Sequence, residues 1–207
     1  EQAKNLKDSI SKENICIVDL RQESHGMINE FAISFFDRYK DLNNGFTTEE
    51  TINKENSLLN KIKIGSTVPL YRRTGALIEN LTVDFVSNES TLVTDVGMQY
   101  KRFAVKDNGA PTPTIVDEFV EFIKNKPDDL HLHFHCDAGE GRTTSFMVMY
   151  QALKNASNLS LDQLLGYQYN IGGVNLHDNS AQLEFLEDFY NYVEKNNLSN
   201  IYQKISS

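Results

Sequence analysis

A strand, a glycine-containing loop and a helix follow one another directly in the second half of the chain, and this succession most constrains the fold. In residues 130–135, leucine and phenylalanine alternate with histidine, and this period of two predicts a strand. Two glycines lie within residues 136–142, and residues 143–154 then place large apolar side chains at helical spacing. The pattern predicts an α/β domain whose site lies at the carboxyl end of the strand.

Periodicities elsewhere support the same class of fold. The β-branched residues 15–18 predict a buried strand that delivers polar residues at its carboxyl end. Residues 70–85 are rich in threonine and valine and predict antiparallel strands. Further helices are predicted over residues 115–123, with Thr114 as the N-cap, and over residues 161–165 and 183–193.

A cysteine stands at the junction of the strand and the glycine loop. The segment reads His135-Cys136-Asp137-Ala138-Gly139-Glu140-Gly141-Arg142-Thr143. Successive backbone N–H groups in such a loop, backed by a helix N-terminus, bind anions and favour thiolate over thiol. Arg142 adds a planar guanidinium that holds two phosphate oxygens at once, and Thr143 can donate its hydroxyl to the sulfur. The sequence therefore predicts a nucleophilic Cys136 in an anion-binding loop; the alternative is a buried cysteine in an ordinary turn.

This segment resembles the phosphate loop of the protein tyrosine phosphatase superfamily, in which His-Cys, five intervening residues, Arg and Ser/Thr form the signature. Four more motifs are similar to those of the bacterial phytase-like inositol polyphosphate phosphatases: Val18-Asp19-Leu20-Arg21-Gln22-Glu23-Ser24-His25-Gly26, Gly97-Met98-Gln99-Tyr100, Pro111-Thr112-Pro113 and Ile171-Gly172-Gly173. The matches extend over nearly the whole chain. The resemblance implies a cysteine-phosphatase fold, an α/β domain with a central mixed sheet flanked by helices and a small partial β-barrel insert.

A phosphoryl-transfer site also needs a proton donor for the departing oxygen. Asp107 is the candidate, because it precedes the turn-forming segment Asn108-Gly109-Ala110-Pro111 and matches the general-acid aspartate of the family by its distance from the proline. The family commonly has a bulky residue directly before that proline, and this chain has Ala110 there. A solvated turn residue is the alternative interpretation of Asp107.

Three further sets of residues are expected to support this chemistry. Arg21 ends the first predicted strand, and the resemblance places it among the substrate-binding groups; a salt bridge to a neighbouring carboxylate is the alternative. Gln168 matches a glutamine whose amide could position the hydrolytic water, and a purely structural amide is the alternative. His25 and Glu23 are expected to orient the phosphate loop. The loop completes the substrate site through Asp137, Ala138, Gly139, Glu140 and Gly141.

Three histidines of the predicted strand offer a rival interpretation. His131, His133 and His135 alternate and so share one face, where imidazoles can bind zinc. A zinc hydrolase would need further ligands and would leave the glycine loop unexplained. We therefore expect no metal and no other cofactor. His135 is expected instead to form a hydrogen bond with the loop and to help hold Cys136 ionised.

The second cysteine, Cys16, lies among apolar residues of the first predicted strand, so packing is its leading interpretation. A regulatory disulfide with Cys136 requires Cα atoms within about 7 Å of each other. Two cysteines are too few for a disulfide scaffold.

Charge limits the classes of partner. The formal net charge of −9 argues against a general nucleic-acid-binding surface. Because the phosphate loop itself carries Asp137 and Glu140, a highly phosphorylated ligand would need several cations beyond Arg142. The candidates for such a cationic rim are Arg21, Arg72, Arg73, Lys101, Arg102 and Lys106.

The length of the chain and its first residue bear on domain organisation and on compartment. A chain of 207 residues predicts one phosphatase domain over residues 1–207, with a lid or β insert around residues 41–90. Its apolar stretches fall short of the about 20 residues that a membrane span needs. The chain begins with Glu1, so removal of a signal peptide would make the protein secreted or periplasmic, and it is otherwise expected in the cytoplasm. The sequence predicts no particular oligomeric state.

These residues predict two-step hydrolysis of a phosphomonoester through a cysteinyl-phosphate. Cys136 attacks phosphorus, Arg142 and the loop amides hold the equatorial oxygens, and Asp107 protonates the leaving oxygen. By resemblance the substrate is an inositol phosphate. A protein tyrosine, dual-specificity or phosphoinositide phosphatase is the first alternative, and a pseudophosphatase that binds phosphorylated partners without turnover is the second.

Overall fold

The computed structural model describes residues 1–36, 42–155, 158–196 and 198, so Asp41 at the start of the predicted insert lies outside the described residues. The chain forms two compact units. The first contains Glu1–Ser11 and Gln22–Tyr100, and the second contains Lys12–Arg21 and Lys101–Ser207. The expected single domain with an insert stays a prediction.

Helices and short strands are intermixed along the chain. In chain order they are α1 (Gln2–Ser9), β1 (Ile15–Arg21), β2 (His25–Ile28), β3 (Phe31–Ser34), α2 (Thr48–Leu59), β4 (Thr67–Tyr71), β5 (Leu77–Thr82), β6 (Val86–Ser87), α3 (Glu89–Asp95), β7 (Gln99–Val105), α4 (Pro113–Asn125), β8 (His131–His135), α5 (Gly141–Asn155), α6 (Leu161–Asn170) and α7 (Ser180–Lys195). A short 3₁₀ turn, Leu176–Asp178, precedes α7. Within the described ranges, each helix is too short or too polar to cross a lipid bilayer.

The sheet of the second unit has the strand order β7-β1-β8. β1 and β8 are parallel, with Ile15 opposite His131 and Asp19 opposite His135. Every residue of β1 is buried, which explains the continuous apolar run that predicted this strand. Because β1 and β8 run in the same direction, Arg21 and the residue after His135 leave the sheet at the same edge.

Three phenylalanines from different elements form the centre of the core in the second unit. Phe103 of β7, Phe119 of α4 and Phe146 of α5 are fully buried. The ring of Phe119 meets the ring of Phe146 edge-on, with centroids 4.9 Å apart, and that of Phe103 with centroids 5.5 Å apart. Burial of one such side chain contributes about 2–3 kcal/mol, and edge-to-face pairs add to this. The rings thereby hold α4 and α5 against the sheet.

Helix α4 begins before the predicted position. Its N-cap is Thr112, whose hydroxyl accepts the backbone N–H of Ile115 at 3.4 Å, and Pro113 occupies the first helical position. The prediction of Thr114 as the cap was wrong. The physical reason is that the fixed φ of proline suits the first turn, where its missing N–H costs nothing.

The first unit carries the smaller sheets. Its three-stranded sheet has the order β3-β2-β6, and β4 and β5 form a separate pair. β4 and β5 are antiparallel, which confirms the antiparallel strands predicted within residues 70–85. Thr47 and Glu50 form a capping box at the start of α2, and the mostly polar residues 48–59 are all helical. The lid or β insert expected around residues 41–90 falls within this part of the chain and stays a prediction.

Candidate active site

The predicted phosphate loop connects β8 to α5. Gly139 within it has a φ of 74°, a left-handed conformation that glycine adopts without strain. Gly141 begins α5, so the loop ends at a helix N-terminus, where the first backbone N–H groups point out of the helix at the positive end of its dipole. Cys136 follows β8 directly and is only 8% exposed. The loop therefore offers an anion a set of N–H donors next to a nearly buried thiol.

Hydrogen bonds and charge favour the thiolate form of Cys136. Burial, the largest single effect, raises the pKa of Cys136. The hydroxyl of Thr143, the charge of Arg142 and the backbone N–H groups of Thr143 and Glu140 outweigh it and hold the pKa below its ordinary value. Thr143 donates its hydroxyl to Cys136 Sγ over 3.2 Å. A thiolate at neutral pH is the nucleophilic form of cysteine, so the environment suits nucleophilic attack.

Cys16 lies in the opposite kind of environment. It is 1% exposed, and burial raises its pKa to about 11 despite the nearby charge of Lys101. In the parallel register Cys16 stands opposite Leu132, and Cys136 follows four residues later. Four residues of strand span about 13 Å, beyond the about 7 Å that a disulfide allows between Cα atoms. Without backbone rearrangement, the two cysteines are too far apart for the regulatory disulfide considered from the sequence.

Iodoacetamide is expected to alkylate Cys136 much faster than Cys16 near neutral pH, because the pKa of Cys136 is lowered and that of Cys16 is raised to about 11, so Cys136 carries the larger fraction of reactive thiolate. The rate at Cys136 should rise with pH and reach its plateau below the range of an ordinary thiol, since a lowered pKa completes ionisation at lower pH. Peptide mass spectrometry across a pH series measures both rates.

The variant Thr143→Ala removes the hydroxyl from the sulfur and should move the half-point of the Cys136 profile to higher pH. Thr114→Ala, the same change on an exposed residue of α4, is the control and should leave the profile in place. Equal alkylation of both cysteines, or an unmoved half-point in Thr143→Ala, would contradict the assigned environment.

Arg142 connects the phosphate loop to the end of β7. Its side chain is 1% exposed, and Nη1 donates to the backbone carbonyl of Val105 at 3.0 Å. Nη2 lies 3.1 Å from Oδ1 of Asp107, whose own side chain is 65% exposed. The structure therefore brings together the predicted phosphate-binding arginine and the predicted general acid.

Asp107 lies in a tight turn after β7. The backbone N–H of Gly109 donates to the carbonyl of Lys106 at 3.0 Å and closes the turn. Asn108 has a φ of 57°, a left-handed conformation that asparagine tolerates better than most residues. The ion pair with Arg142 gives Asp107 a defined partner, whereas the alternative interpretation treated Asp107 only as a solvated turn residue. The catalytic role of Asp107 stays a prediction.

Arg21 leaves the sheet beside the phosphate loop. Its Nη2 lies 3.3 Å from Oδ1 of Asp137 in the loop, and its backbone N–H donates to Oδ1 of Asp19 at 2.9 Å. The structure places Arg21 next to the loop, as the resemblance implied, and one carboxylate that Arg21 contacts is Asp137 of the loop itself. Arg21 therefore braces the loop, and its role in binding substrate stays a prediction.

Arg102 does not belong to a cationic rim. It is 3% exposed, its Nε lies 3.3 Å from Oδ2 of the buried Asp19, and the same Nε donates to the carbonyl of Arg21 at 2.9 Å. A buried arginine paired with a buried carboxylate is a structural charge pair whose rupture costs about 3–5 kcal/mol. Because its side chain is buried, Arg102 is not available to substrate phosphates, and its inclusion among the candidates for the cationic rim was wrong.

Gln168 lies on α6, and its side-chain amide contacts a residue of α5. Its side-chain Nε2 donates to Oε1 of Gln151 at 3.0 Å, and its backbone carbonyl accepts the backbone N–H of Gly173 at 2.8 Å. Gln151 comes ten residues after Gly141, which is about 15 Å along the helix axis from the phosphate loop. This arrangement favours the structural amide over the water-positioning role.

The histidines of β8 alternate as predicted. His135 places its Nδ1 3.2 Å from the carbonyl oxygen of Cys136, which fits the expected hydrogen bond to the loop when that nitrogen carries the proton. His131 and His133 stand opposite Ile15 and Ile17 of β1. His135 is thus the histidine of the strand that contacts the backbone of the nucleophile.

His25 organises the first unit. Its Nε2 lies 2.9 Å from Oε2 of Glu89, and its Nδ1 lies 3.0 Å from the carbonyl of Glu23. Its backbone N–H donates to Oε2 of the buried Glu55 at 2.8 Å. These contacts join β2 to α2 and α3; the orientation of the phosphate loop by His25 and Glu23 stays a prediction.

Two residues near the site were missed in the sequence. Asn179 and Gln182, at the start of α7, donate to the backbone of residues 108 and 109. An asparagine followed three residues later by glutamine, just before an apolar helical run, is a capping signature. That signature would have drawn attention to the pair, although it says nothing about what the amides contact.

A comparison with protein-family models matches the part of the chain that contains most of these motifs. Residues 18–154 match the PTP-like phytase family model, described as inositol hexakisphosphate. The chain belongs to the PTP-like phytase family. Its cysteine-phosphatase α/β fold and the resemblance stated from the sequence are therefore confirmed.

Solved PTP-like phytases have the same fold. The tandemly repeated protein tyrosine phosphatase-like phytase of Mitsuokella multacida is 32% identical with a TM-score of 0.81, over 94% of this chain and 35% of that one. A myo-inositol phosphatase of the same organism, in complex with myo-inositol-(1,3,4,5)-tetrakisphosphate, is 30% identical with a TM-score of 0.82, over 100% of this chain and 38% of that one. A PTP-like phytase of Bdellovibrio bacteriovorus is 29% identical with a TM-score of 0.79, over 96% of this chain and 76% of that one.

Among curated proteins, the chain is similar to a bacterial effector protein. Effector protein hopD2 of Pseudomonas syringae pv. tomato is 28% identical over 219 residues, which cover 95% of this chain. The uncharacterized protein AvrBs1.1 of Xanthomonas campestris pv. campestris is 36% identical over 81 residues, which cover 33% of this chain and 78% of that protein. The chain spans 46% of the length of the effector.

Proposed function

We propose that this chain is a cysteine-dependent phosphomonoester hydrolase that acts on inositol phosphates through a cysteinyl-phosphate. One arrangement carries the proposal: a nearly buried Cys136 accepts a hydrogen bond from Thr143, Arg142 lies beside it in the loop, and Asp107 contacts that arginine. Membership of the PTP-like phytase family supports it. The inositol tetrakisphosphate complex of the Mitsuokella phosphatase supports the substrate class.

In the first step, the thiolate sulfur of Cys136 attacks phosphorus in line with the ester oxygen. The S–P bond forms as the P–O ester bond breaks, and the leaving oxygen takes a proton from the carboxyl group of Asp107. Arg142 and the backbone N–H groups of the loop hold the three equatorial oxygens, where charge develops in the transition state. Because a side chain is the nucleophile, the step needs no metal-bound hydroxide.

In the second step, water attacks the cysteinyl-phosphate. The carboxylate of Asp107 accepts a proton from this water, the S–P bond breaks and inorganic phosphate leaves. The hydroxyl of Thr143, 3.2 Å from the sulfur, stabilises the thiolate as it departs. The cycle closes with Cys136 again a thiolate and with the proton taken from water on Asp107.

A substrate panel tests the proposal. The full chain is assayed with inositol phosphates of increasing phosphorylation, a phosphotyrosine peptide, a phosphoinositide and an activated aryl phosphate, each with and without a chelator. The proposal expects chelator-resistant turnover with inositol phosphates as the best substrates. Preference for the phosphopeptide or phosphoinositide would overturn the substrate class, loss of turnover with chelator would support the zinc alternative, and binding without turnover would support the pseudophosphatase.

The exposed Glu140 is expected to limit the number of phosphates that the site accepts. Its backbone lies in the loop, and a carboxylate there repels each additional phosphate by about 1 kcal/mol near a partly exposed surface. Glu140→Lys should therefore raise kcat/KM for phytate at low salt, and the gain should shrink as salt screens the charge. A singly phosphorylated substrate should respond much less.

The matched control is Asp128→Lys, which makes the same change of charge on an exposed residue before β8, at the end of the strand away from Cys136. It should leave kcat/KM for phytate within about twofold of wild type at both salt concentrations. An unchanged or reduced phytate rate in Glu140→Lys would show that this carboxylate does not set the charge preference of the site.

A further inference from the structure

The turn that carries Asp107 is held by the first turn of α7. The side-chain Nδ2 of Asn179 donates to the backbone carbonyl of Asn108 at 3.2 Å. The side-chain Nε2 of Gln182 donates to the carbonyl of Gly109 at 3.4 Å. Asn108 and Gly109 are the two residues that directly follow Asp107, so the amides of α7 fix the backbone on which the carboxylate is carried.

Asn179 uses both ends of its side-chain amide. Its Oδ1 accepts the backbone N–H of Gln182 at 3.1 Å and so caps α7. Its Nδ2 is then directed at the carbonyl of Asn108. Aspartate would cap the helix equally well but has no N–H to donate. The contact with the Asp107 turn therefore depends on asparagine at this position, whereas the cap does not.

Gln182 departs from the usual behaviour of a glutamine at the third position of a helix. At the same position of α6, Gln163 turns back, and its Oε1 accepts the backbone N–H of Ser160 at 2.8 Å in a capping box. Gln182 is instead 1% exposed and lies against the phosphate loop, since a Cβ built on Gly141 would stand 2.8 Å from its Oε1. Its amide therefore touches both the Asp107 turn and the start of α5.

We propose that Asn179 and Gln182 are positioning residues that hold Asp107 in place for proton transfer, and this rests on the function proposed above. The two amides fix the turn from one side, and Asp107 then meets Arg142 at 3.1 Å on the other. Ala110, directly before Pro111, offers only a methyl group with which the turn could pack. The amides of α7 supply the anchoring that the structure shows for this turn, and a general acid contributes only when its carboxyl group is held within reach of the leaving oxygen.

Asn179→Asp separates positioning from helix stability. Aspartate keeps the cap and adds a favourable charge at the helix N-terminus, but its carboxylate repels the carbonyl of Asn108. We expect kcat for an alkyl phosphate to fall about 10-fold or more, with a fall of less than about threefold for an activated aryl phosphate, whose leaving group needs little protonation. The melting temperature should stay within about 2 °C of wild type.

Gln182→Leu removes the second amide while nearly preserving side-chain volume. It should show the same contrast between alkyl and aryl phosphate, and combination with Asn179→Asp should deepen the loss on the alkyl phosphate. Gln163→Leu is the matched control: it removes a glutamine from the third position of α6, lowers stability through its capping box, and should leave the alkyl-to-aryl ratio of rates unchanged.

Amide hydrogen exchange provides a readout that does not depend on turnover. In Asn179→Asp, exchange at Gly109 should become about 10-fold faster, while exchange within α5 stays as in wild type. Unchanged exchange at Gly109, or equal losses on alkyl and aryl phosphates, would overturn the positioning role. A wild-type chain that hydrolyses neither phosphate would instead remove the proposed function, and the exchange experiment would still decide whether α7 anchors the turn.

Discussion

Replacement of Cys136 by serine is expected to lower kcat by about 10⁴-fold or more, the usual order of loss when a covalent nucleophile is removed. The change keeps the shape of the side chain, but a serine hydroxyl ionises far less readily than a thiol whose pKa is held below its ordinary value. The loop N–H groups and Arg142 remain in place. Binding of an oxyanion such as vanadate or sulfate should therefore persist while turnover is lost.

The measurement combines steady-state kinetics under chelation with a binding titration of the oxyanion. Cys16→Ala is the control, because Cys16 is a core residue about 13 Å from Cys136 along the paired strands. It should lower the melting temperature through lost packing and keep kcat close to wild type. Near wild-type turnover by Cys136→Ser at saturating substrate would show that catalysis does not pass through this sulfur.

Asp107→Asn is expected to lower kcat for alkyl phosphates by about 10²–10⁴-fold, the usual contribution of a positioned general acid. An amide cannot deliver the proton, so the alkoxide must leave unprotonated. An activated aryl phosphate, whose leaving group is a much weaker base, should lose far less. The contrast between the two substrates is the diagnostic result, because it isolates proton transfer from binding.

Asp128→Asn provides the matched control, as an exposed aspartate at the opposite end of β8 from the nucleophile. It should change neither rate. If Asp107→Asn loses equally on both substrates, Asp107 acts in folding or binding through its contact with Arg142, and the acid must be sought at another carboxylate such as Asp95 or Asp137.

The part of the site that is contiguous in the chain could be predicted from the amino-acid order alone. Cys136, Arg142 and Thr143 lie within one loop and one helical turn, so the alternation of β8, the glycines and the apolar spacing of α5 were enough to place them together. The hydrogen bond from Thr143 to the sulfur follows from the same local geometry. Whether a short segment forms a strand, a turn or a helix depends largely on residues that are neighbours in the chain. Such local structure can therefore be predicted from the order of amino acids.

Tertiary structure alone decided the contacts between distant segments. Asp107 reaches Arg142 because β7 ends at Val105, whose carbonyl binds the same guanidinium. The parallel register of β1 and β8 separates Cys16 from Cys136. Such contacts depend on strand register, helix packing and burial across dozens of residues.

The remaining departures from the sequence predictions have the same origin. Arg102 is a buried partner of Asp19 rather than a surface cation. Gln182, which was not among the predicted site residues, donates to the carbonyl of Gly109 in the Asp107 turn. A side chain with several possible hydrogen-bond partners binds the one that folding brings within reach. The amino-acid sequence does not specify the distance between two residues that are far apart in the chain.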